Sequence, residues 1–318
     1  LISICLIGLF AFCAVFAYLI CPDSTPYANE QHLEIAVKKP GFKVSMLQTP
    51  NADTPKVNLF ERILFGKPSQ HISQPIYRTW KQGDKQMFEL YTGDNPNCGE
   101  VISLPYGSDY RIVQRTYLLG TDRYGRDMLS QLIVGTRISL SVGLISVLIA
   151  IFIGVSLGAV AGYYGGKADN IIMWLINVVW SVPTVLLVVA ITFALGKGFW
   201  QVFVAVGLTM WVDIARMVRG QVKSLKEKEF VEASKAIGQS NFKIITRQIL
   251  PNVVGAISVI TASNFATAIL QEAGLSFLGL GVQPPMPSWG SMIKENYGYI
   301  ILDAAYMAII PGIAIMLL

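Results

Sequence analysis

Residues 229–251 read EFVEASKAIGQSNFKIITRQILP, and this polar stretch lies between two long apolar segments. From Arg216 to Arg247 the chain carries eight Lys/Arg (216, 219, 223, 226, 228, 235, 243 and 247) against three Glu. A short basic segment beside membrane spans belongs on the cytoplasmic side, by the bias that keeps Lys and Arg from being translocated. Phe230, Ala233, Ala236 and Ile237 recur at helical spacing, which predicts a short amphipathic helix. Gly238 can end it, and Ser240 or Asn241 can cap a second helix over about 242–250, with Pro251 opening the next span. Ala233, Ser234 and Ala236 keep one side of the first helix low, so another protein's surface could approach closely. Two readings of the segment stand at this point: a solvated basic loop that only sets topology, or a rigid docking knob.

The order Glu232-Ala233-Ser234, then Gly238, then Ile249-Leu250-Pro251 resembles the EAA loop of bacterial ABC importer permeases. In that family the loop is a coupling helix that docks on an ATPase subunit. The family pattern is Glu-Ala-Ala, and Ser234 stands at its third position here. The resemblance implies that Glu229, Phe230, Glu232, Ala233, Ser234, Ala236 and Gly238 make the coupling contact.

Composition sets the class. Of 318 residues, 53% are hydrophobic and 14% charged, with mean hydropathy +0.51. Soluble domains carry about 25% charged residues, so the chain reads as an integral membrane protein. Its net charge of +5 is no sign of nucleic acid, because eight of the 25 basic residues fall in the one stretch 216–247. The chain begins at Leu1 rather than Met and ends inside an apolar run, so both ends read as clipped.

Taken in order, 1–20 is apolar and of span length. A signal-peptide core is the other reading, but no small-residue cleavage site follows. Residues 21–118 form the only sizeable polar region, and its turn residues and short alternating runs predict a small β-rich insertion. Within it, 77–81 and 86–91 flank Gln82-Gly83-Asp84 as a hairpin, with further strands at 101–104 and 110–118. Whether this region is a spacer or a binding module is open. Cys5 and Cys13 read as inert packing residues. Cys21 and Cys98 would lie outside, where a disulfide or two free thiols are both possible.

Leu119-Gly120-Thr121-Asp122-Arg123-Tyr124-Gly125-Arg126-Asp127, followed by Ser130, Gly135, Arg137 and Ser139, reads as a polar turn leading into an amphipathic helix at a membrane surface. The stretch is very similar to the LGTDxxGRDxxS…GxRxSL sequence before span 2 of dipeptide/oligopeptide-type permeases. Span 2 covers about 138–162, with Gly143, Gly154, Ser156 and Gly158 placed for close helix approach. Span 3 covers about 170–195, kinked at Pro183. Gly196-Lys197-Gly198 is a tight turn. Span 4 covers about 199–219, with Asp213 and Arg216 near its cytoplasmic end as a local ion pair. Span 5 covers about 252–272. Residues 272–290 contain EAGLSFLGLG, then PP, then PSWG, which resembles a signature of the same family. Span 6 runs from about Ile300 to the end. If the basic loop is cytoplasmic, counting puts the termini inside and 22–117, 196–198 and 273–299 outside.

No GxxxxGK[ST] phosphate loop and no GxSxG elbow occurs. The two histidines, His32 and His71, do not suggest a metal site. The chain therefore reads as no enzyme, with no metal and no cofactor of its own. Glu272 is the one acidic group at the end of an uncharged span. It sits either beside the substrate path or as a hydrogen-bonded structural residue at the outer rim.

The resemblance covers about Leu119 to the end. It implies an all-α polytopic membrane protein, the transmembrane domain of a type I ABC importer, with six spans and a small β-rich extracytoplasmic insertion. The implied parts are a helix at 1–20, the insertion at 21–118, and a permease core at 119–318 with its coupling loop at 221–250. It further implies one permease of a heterodimer in a bacterial inner membrane, importing dipeptides or oligopeptides. The implied partners are a related permease, two ATPase subunits carrying ATP-Mg, an extracytoplasmic binding protein and the bilayer. Nickel and glutathione importers share these motifs. An ion-driven secondary transporter predicts mid-membrane charges, which spans 2, 3 and 5 lack. A mere membrane anchor would not need the polar motifs at the span ends.

Overall fold

The computed structural model describes residues 2–51, 55, 57–93, 98–105, 107–196 and 198–318. Lys197, in the turn expected at 196–198, lies outside them. The chain divides into two compact units, one made of Leu1–Ile138 with Pro284–Leu318 and the other of Ser139–Gln283. Packing draws this division, so it does not follow the composition limits at 20/21 and 118/119.

In the first unit, α1 (Ile2–Val15) and α2 (Ala17–Ile20) share the expected first span. They are separated at Phe16, whose φ/ψ of −100°/19° is not helical. A five-stranded antiparallel sheet follows, with β1 (Phe42–Pro50), β2 (His71–Gln82), β3 (Lys85–Leu90), β4 (Val101–Pro105) and β5 (Arg111–Tyr117) in the order β4-β3-β2-β1-β5. The hairpin β2–β3 turns where expected, with Gln82 opposite Lys85 and Gly83 at φ +61°. The interior strand β1, between β2 and β5, has no clean alternation because it is buried on both faces. Val44 and Met46 pack with Ile35, Tyr91 and Tyr117, while Leu47 packs with Ile76 and Phe88 on the other side. A short helix α3 (Leu59–Phe65) lies between β1 and β2. Arg137 Nη1 donates to the Ile63 and Leu64 carbonyls at 3.0 and 2.9 Å, satisfying its C-terminal end.

Residues 119–127 fold into a clamp. Arg126 is buried, donating from Nε to Asp122 Oδ2 at 2.6 Å and from Nη2 to Glu295 Oε2 at 2.7 Å. Asp122 Oδ1 accepts the Tyr124 and Arg126 backbone N–H groups at 2.9 Å each. Gly125 sits at φ +71°, and a Cβ there would lie 1.8 Å from the His32 carbonyl oxygen. Asp127 accepts the Ser130 backbone N–H at 3.0 Å and so caps α4 (Met128–Tyr164). The amphipathic entrance and span 2 are thus one 37-residue helix.

In the second unit, span 3 is broken rather than merely kinked. After α4, α5 (Gly166–Trp180) and α6 (Thr184–Leu195) meet at 93° across Ser181–Pro183. Pro183 precedes the first residue of α6, where its fixed φ and missing N–H stop continuation. Then come α7 (Phe199–Lys226), α8 (Glu229–Ala236), α9 (Asn241–Ile244), a π-turn at Ile245–Ile249, and α10 (Leu250–Phe277). Gly154, Gly158 and Gly162 form a stripe along α4. A Cβ on each would lie 2.7, 2.5 and 2.7 Å from the carbonyl oxygens of Trp211, Ala215 and Arg219 on α7, so the two backbones touch. Ser156 instead bonds within its own helix, donating to Phe152 O.

Back in the first unit, α11 (Trp289–Asn296) starts at a Ser288/Ser291 capping pair, and Trp289 is fully buried beside Phe10. The last helix, α12, runs Tyr306–Leu317 rather than from Ile300. Asp303 at φ +59° interrupts the chain before it. Among the described residues, three helices are long and apolar enough to cross a membrane: α4, α7 and the continuous run Asn241–Phe277. There are four if the bent α5–α6 pair counts as one span.

Of the two alternatives for Cys21 and Cys98, the structure shows two free thiols. Cys21 is buried with its thiol donating to the Asp23 carbonyl at 2.8 Å, and Cys98 is exposed. Nor do Asp213 and Arg216 pair. Arg216 lies over the Trp180 ring at 3.4 Å, and Trp180 Nε1 donates to Asp213 Oδ1 at 3.3 Å. The indole accepts the cation on its face and gives its N–H to the anion, which keeps the two apart.

Candidate functional site: the helix α8 and its footing

Helix α8 starts after Lys228, whose carbonyl accepts the Val231 N–H at 2.9 Å. It stops as its glycine predicts. Gly238 is at φ +77°, its N–H bonds the Lys235 carbonyl, and the Gln239 N–H returns to the Ser234 carbonyl at 3.1 Å. The periodic residues Phe230, Ala233, Ala236 and Ile237 do not face the chain's own core. The buried side is Val231 with Ser234. Val231 is fully buried among Val222, Ile244, Ile245 and Ile249, and the Ser234 hydroxyl donates to the Phe230 carbonyl at 2.8 Å. On the open side, Phe230, Ile237 and Phe242 are 39, 73 and 75% exposed. Glu229, Glu232, Ala233 and Ala236 are exposed as well.

The footing of α8 is polar and cationic. A cleft behind it is lined by Gly162, Gly165, Asp169, Lys223, Lys226, Glu227, Glu232 and Lys235. Tyr163, the buried penultimate residue of α4, donates its hydroxyl to Asn241 Oδ1 at 2.8 Å. Lys226 and Lys235 lie over its ring at 5.6 and 6.0 Å. Arg219 on α7 grips Asp169 in the first turn of α5 with two hydrogen bonds of 2.5 and 2.7 Å, the fork geometry in which a guanidinium holds a carboxylate best. Helix α8 therefore meets the end of α4 through Lys235 over Tyr163, and the next helix, α9, is bonded to α4 through Asn241. Helices α5 and α7 are forked to each other, while Phe230 and Ile237 are left exposed. Sequence reasoning found the helix and its glycine. The pairings Tyr163–Asn241 and Asp169–Arg219 leave no local signal, because they span 78 and 50 positions.

Glu272 is fully buried on α10, with the Ser276 hydroxyl donating to its Oε1 at 2.6 Å. Four residues apart, the pair sits on one helix face. A separate polar cavity in the same unit is lined by Thr209, Asp213, Asn264, Thr267 and Gln271, none of which the sequence reading assigned to a path.

The family described as binding-protein-dependent transport system inner membrane component matches residues 154–318. The glutathione transport system permease protein GsiD of Pectobacterium atrosepticum is 42% identical over 199 residues, 63% of this chain and 66% of that protein. The dipeptide transport system permease protein DppC of Bacillus subtilis is 42% identical over 262 residues, 79% of this chain and 82% of that one. An inward-facing MetNI methionine ABC transporter structure aligns with TM-score 0.49 and 22% identity, over 60% of this chain and 92% of its own.

Proposed function

This chain belongs to the family of binding-protein-dependent transport system inner membrane components, and from that premise we propose that it is one permease subunit of an ATP-driven importer of dipeptides and oligopeptides. Its partners are a related permease, two cytoplasmic ATPase subunits that bind ATP-Mg, and an extracytoplasmic binding protein. The chain itself catalyses no reaction.

The observation that carries this reading is the two-sided character of α8. Val231 and Ser234 root it in its own unit, while Phe230 and Ile237 stand exposed on the other side, as does Phe242 in the α9 that follows. An exposed apolar patch rimmed by charge marks a protein contact, and here Glu229, Glu232 and Lys235 supply the rim. The ATPase surface seats on that face, with Ala233 and Ala236 allowing close approach. When ATP closes the ATPases, α8 moves with them. Lys235 over Tyr163 and Val231 in the core with Val222 pass the displacement to α4 and α7, and the Arg219–Asp169 fork carries it from α7 to α5. Gly238 lets α8 end sharply, so it moves as a short rigid piece. Of the two roles open to Glu272, its enclosure and its bond from Ser276 support the structural one.

Six spans complete the reading: α1 with α2, α4, α5 with α6, α7, the run ending in α10, and α12. The termini and α8 are cytoplasmic, and the five-stranded module is extracytoplasmic. The arrangement of α8 with Gly162, Asp169 and Lys223 around one cleft supports placing those span ends on one membrane face. Glutathione, the cargo named for one relative, is the second reading of the substrate and is itself a small peptide.

Extraction from membranes under mild conditions tests the assembly. An ATPase subunit co-purifies on this reading, and its absence refutes it. Cys98, exposed in the module, tests topology. It reacts with a membrane-impermeant thiol reagent in intact cells, and labelling only after permeabilisation overturns the orientation.

A further inference from the structure

We infer that the unit Ser139–Gln283 holds a subsite for a short peptide, with the peptide's α-ammonium on Asp213 and its backbone along α10. The inference rests on the importer reading and adds a place on this subunit where the cargo is held. The cavity, about 240 Å³, is walled by Trp180 of α5, Thr184 of α6, Thr209 and Asp213 of α7, and Asn264 and Gln271 of α10. At about 30 Å³ per water it has room for about eight waters or one small molecule.

Three observations define the chemistry. Asn264 is only 8% exposed, and its Nδ2 donor has no acceptor among the described residues. Gln271 Oε1, lining the same cavity, is an acceptor with no donor. A buried polar group without a partner is costly, so the cavity calls for a ligand that brings both a carbonyl and an N–H. A peptide backbone carries that pair at every residue. The third observation is charge. Asp213 is exposed to the cavity and, among the described residues, accepts only the long 3.3 Å bond from Trp180 Nε1, while the nearby Arg216 is held on the indole face. The carboxylate thus keeps lone pairs for a cation.

Spacing sets the length. Asn264 and Gln271 are seven residues apart on α10, a rise of about 10.5 Å. An extended chain covers that in about three residues at ~3.3 Å each. Both Asp213 and Asn264 are fifteenth of 28 residues in their helices, so the subsite lies midway along α7 and α10. The corresponding sequence signal is the polar recurrence Asn264, Thr267, Gln271 at i, i+3 and i+7 within an apolar helix.

The test uses the complete importer in proteoliposomes, with trialanine as the probe. Asp213→Asn and Asn264→Leu each lower ATP-driven trialanine uptake about tenfold, the loss of one charge-assisted or buried hydrogen bond, and Asp213→Glu restores most of it. Independently, Thr267→Cys places a thiol at the cavity, and trialanine slows its labelling by a maleimide. If Asp213→Asn fails to assemble, the labelling decides alone. Uptake by both variants within twofold of the unaltered chain, or Thr267→Cys labelling unchanged by trialanine, overturns the subsite. Failure of the unaltered chain to take up trialanine with ATP overturns the importer reading instead.

Discussion

Adding a single methyl group at Gly158 should pry α4 from α7. Its Cβ would stand 2.5 Å from the Ala215 carbonyl oxygen, 2.9 Å from Val218 Cβ and 3.1 Å from Ala215 Cα. Carbon–oxygen approach is comfortable at about 3.3 Å or beyond, so the backbones must part by roughly 0.8 Å. Two of the three obstructing atoms are backbone, which cannot rotate away. Overpacking of this kind costs about 1–3 kcal/mol, and the rigid obstruction puts Gly158→Ala at the upper end. The helix gains about 1 kcal/mol from alanine over glycine, leaving a net loss of about 2 kcal/mol. For a unit of this size that lowers the melting temperature by about 4–8 °C. Gly255 on α10 is the control, because a Cβ there meets nothing within 4 Å, and Gly255→Ala should leave stability unchanged or slightly raised. Thermal unfolding of the purified protein in lipid nanodiscs, followed by tryptophan emission, measures both. Equal melting temperatures for the two variants would refute the backbone-contact argument. Gly154→Ala combined with Gly158→Ala should lose less than the sum, since a parted α7 has already made room.

Arg126→Met strands Asp122 and Glu295 inside the 119–127 clamp and should cost about 3–5 kcal/mol, seen as earlier proteolysis at that joint; protease resistance equal to the unaltered chain's would count against it. Gly238→Val forces a β-branched residue into φ +77°, so uptake per ATP falls while membrane insertion persists; unchanged uptake removes α8 as the lever. Acid stability of the sheet module is the fourth expectation. Burial raises the Glu30 carboxyl, but His32 Nε2 at 3.4 Å and the Arg115 guanidinium at 2.6 Å outweigh it and hold it at about 2. The pair therefore stabilises fully above the ordinary 4.5, and that contribution is lost as pH falls from there toward 2. Glu30→Gln should flatten this part of the acid limb in circular dichroism, and an unaltered limb would refute it. Buried Asp23, pushed up by desolvation, works in the opposite direction and moderates the slope.

What was legible in the chain was local. The α8 helix, its Gly238 terminus, the β2–β3 hairpin and the apolar runs follow from periodicity and turn chemistry within about ten residues. What escaped was set by distant partners. Strand β1 hid because burial on both faces erases alternation. The same holds for Asp213 and Arg216, whose spacing suggests a pair until Trp180, more than thirty positions away, is seen to take both. The apolar stripe of α8 is legible in its spacing as a stripe. Its direction was not readable, because spacing cannot distinguish a face turned to one's own core from a face kept for another protein. Glu272 drew attention as a lone charge, whereas the neutral Asn264 and Gln271 were invisible to any charge count.

The sheet order has a consequence for how such a chain can change length. Strands β1 and β5 lie side by side, antiparallel, with Gln48 opposite Arg111, although about sixty residues of chain separate them. The strands β2, β3 and β4 are laid outward from β1, one after another. The whole excursion is a branch on a two-stranded stem, and trimming it to a tight turn between Gln48 and Arg111 would leave the stem's register intact. A strand added or removed at the β4 edge leaves the β1–β5 pairing untouched, whereas removing β2 and β3 uncovers Leu47, which packs on Ile76 and Phe88.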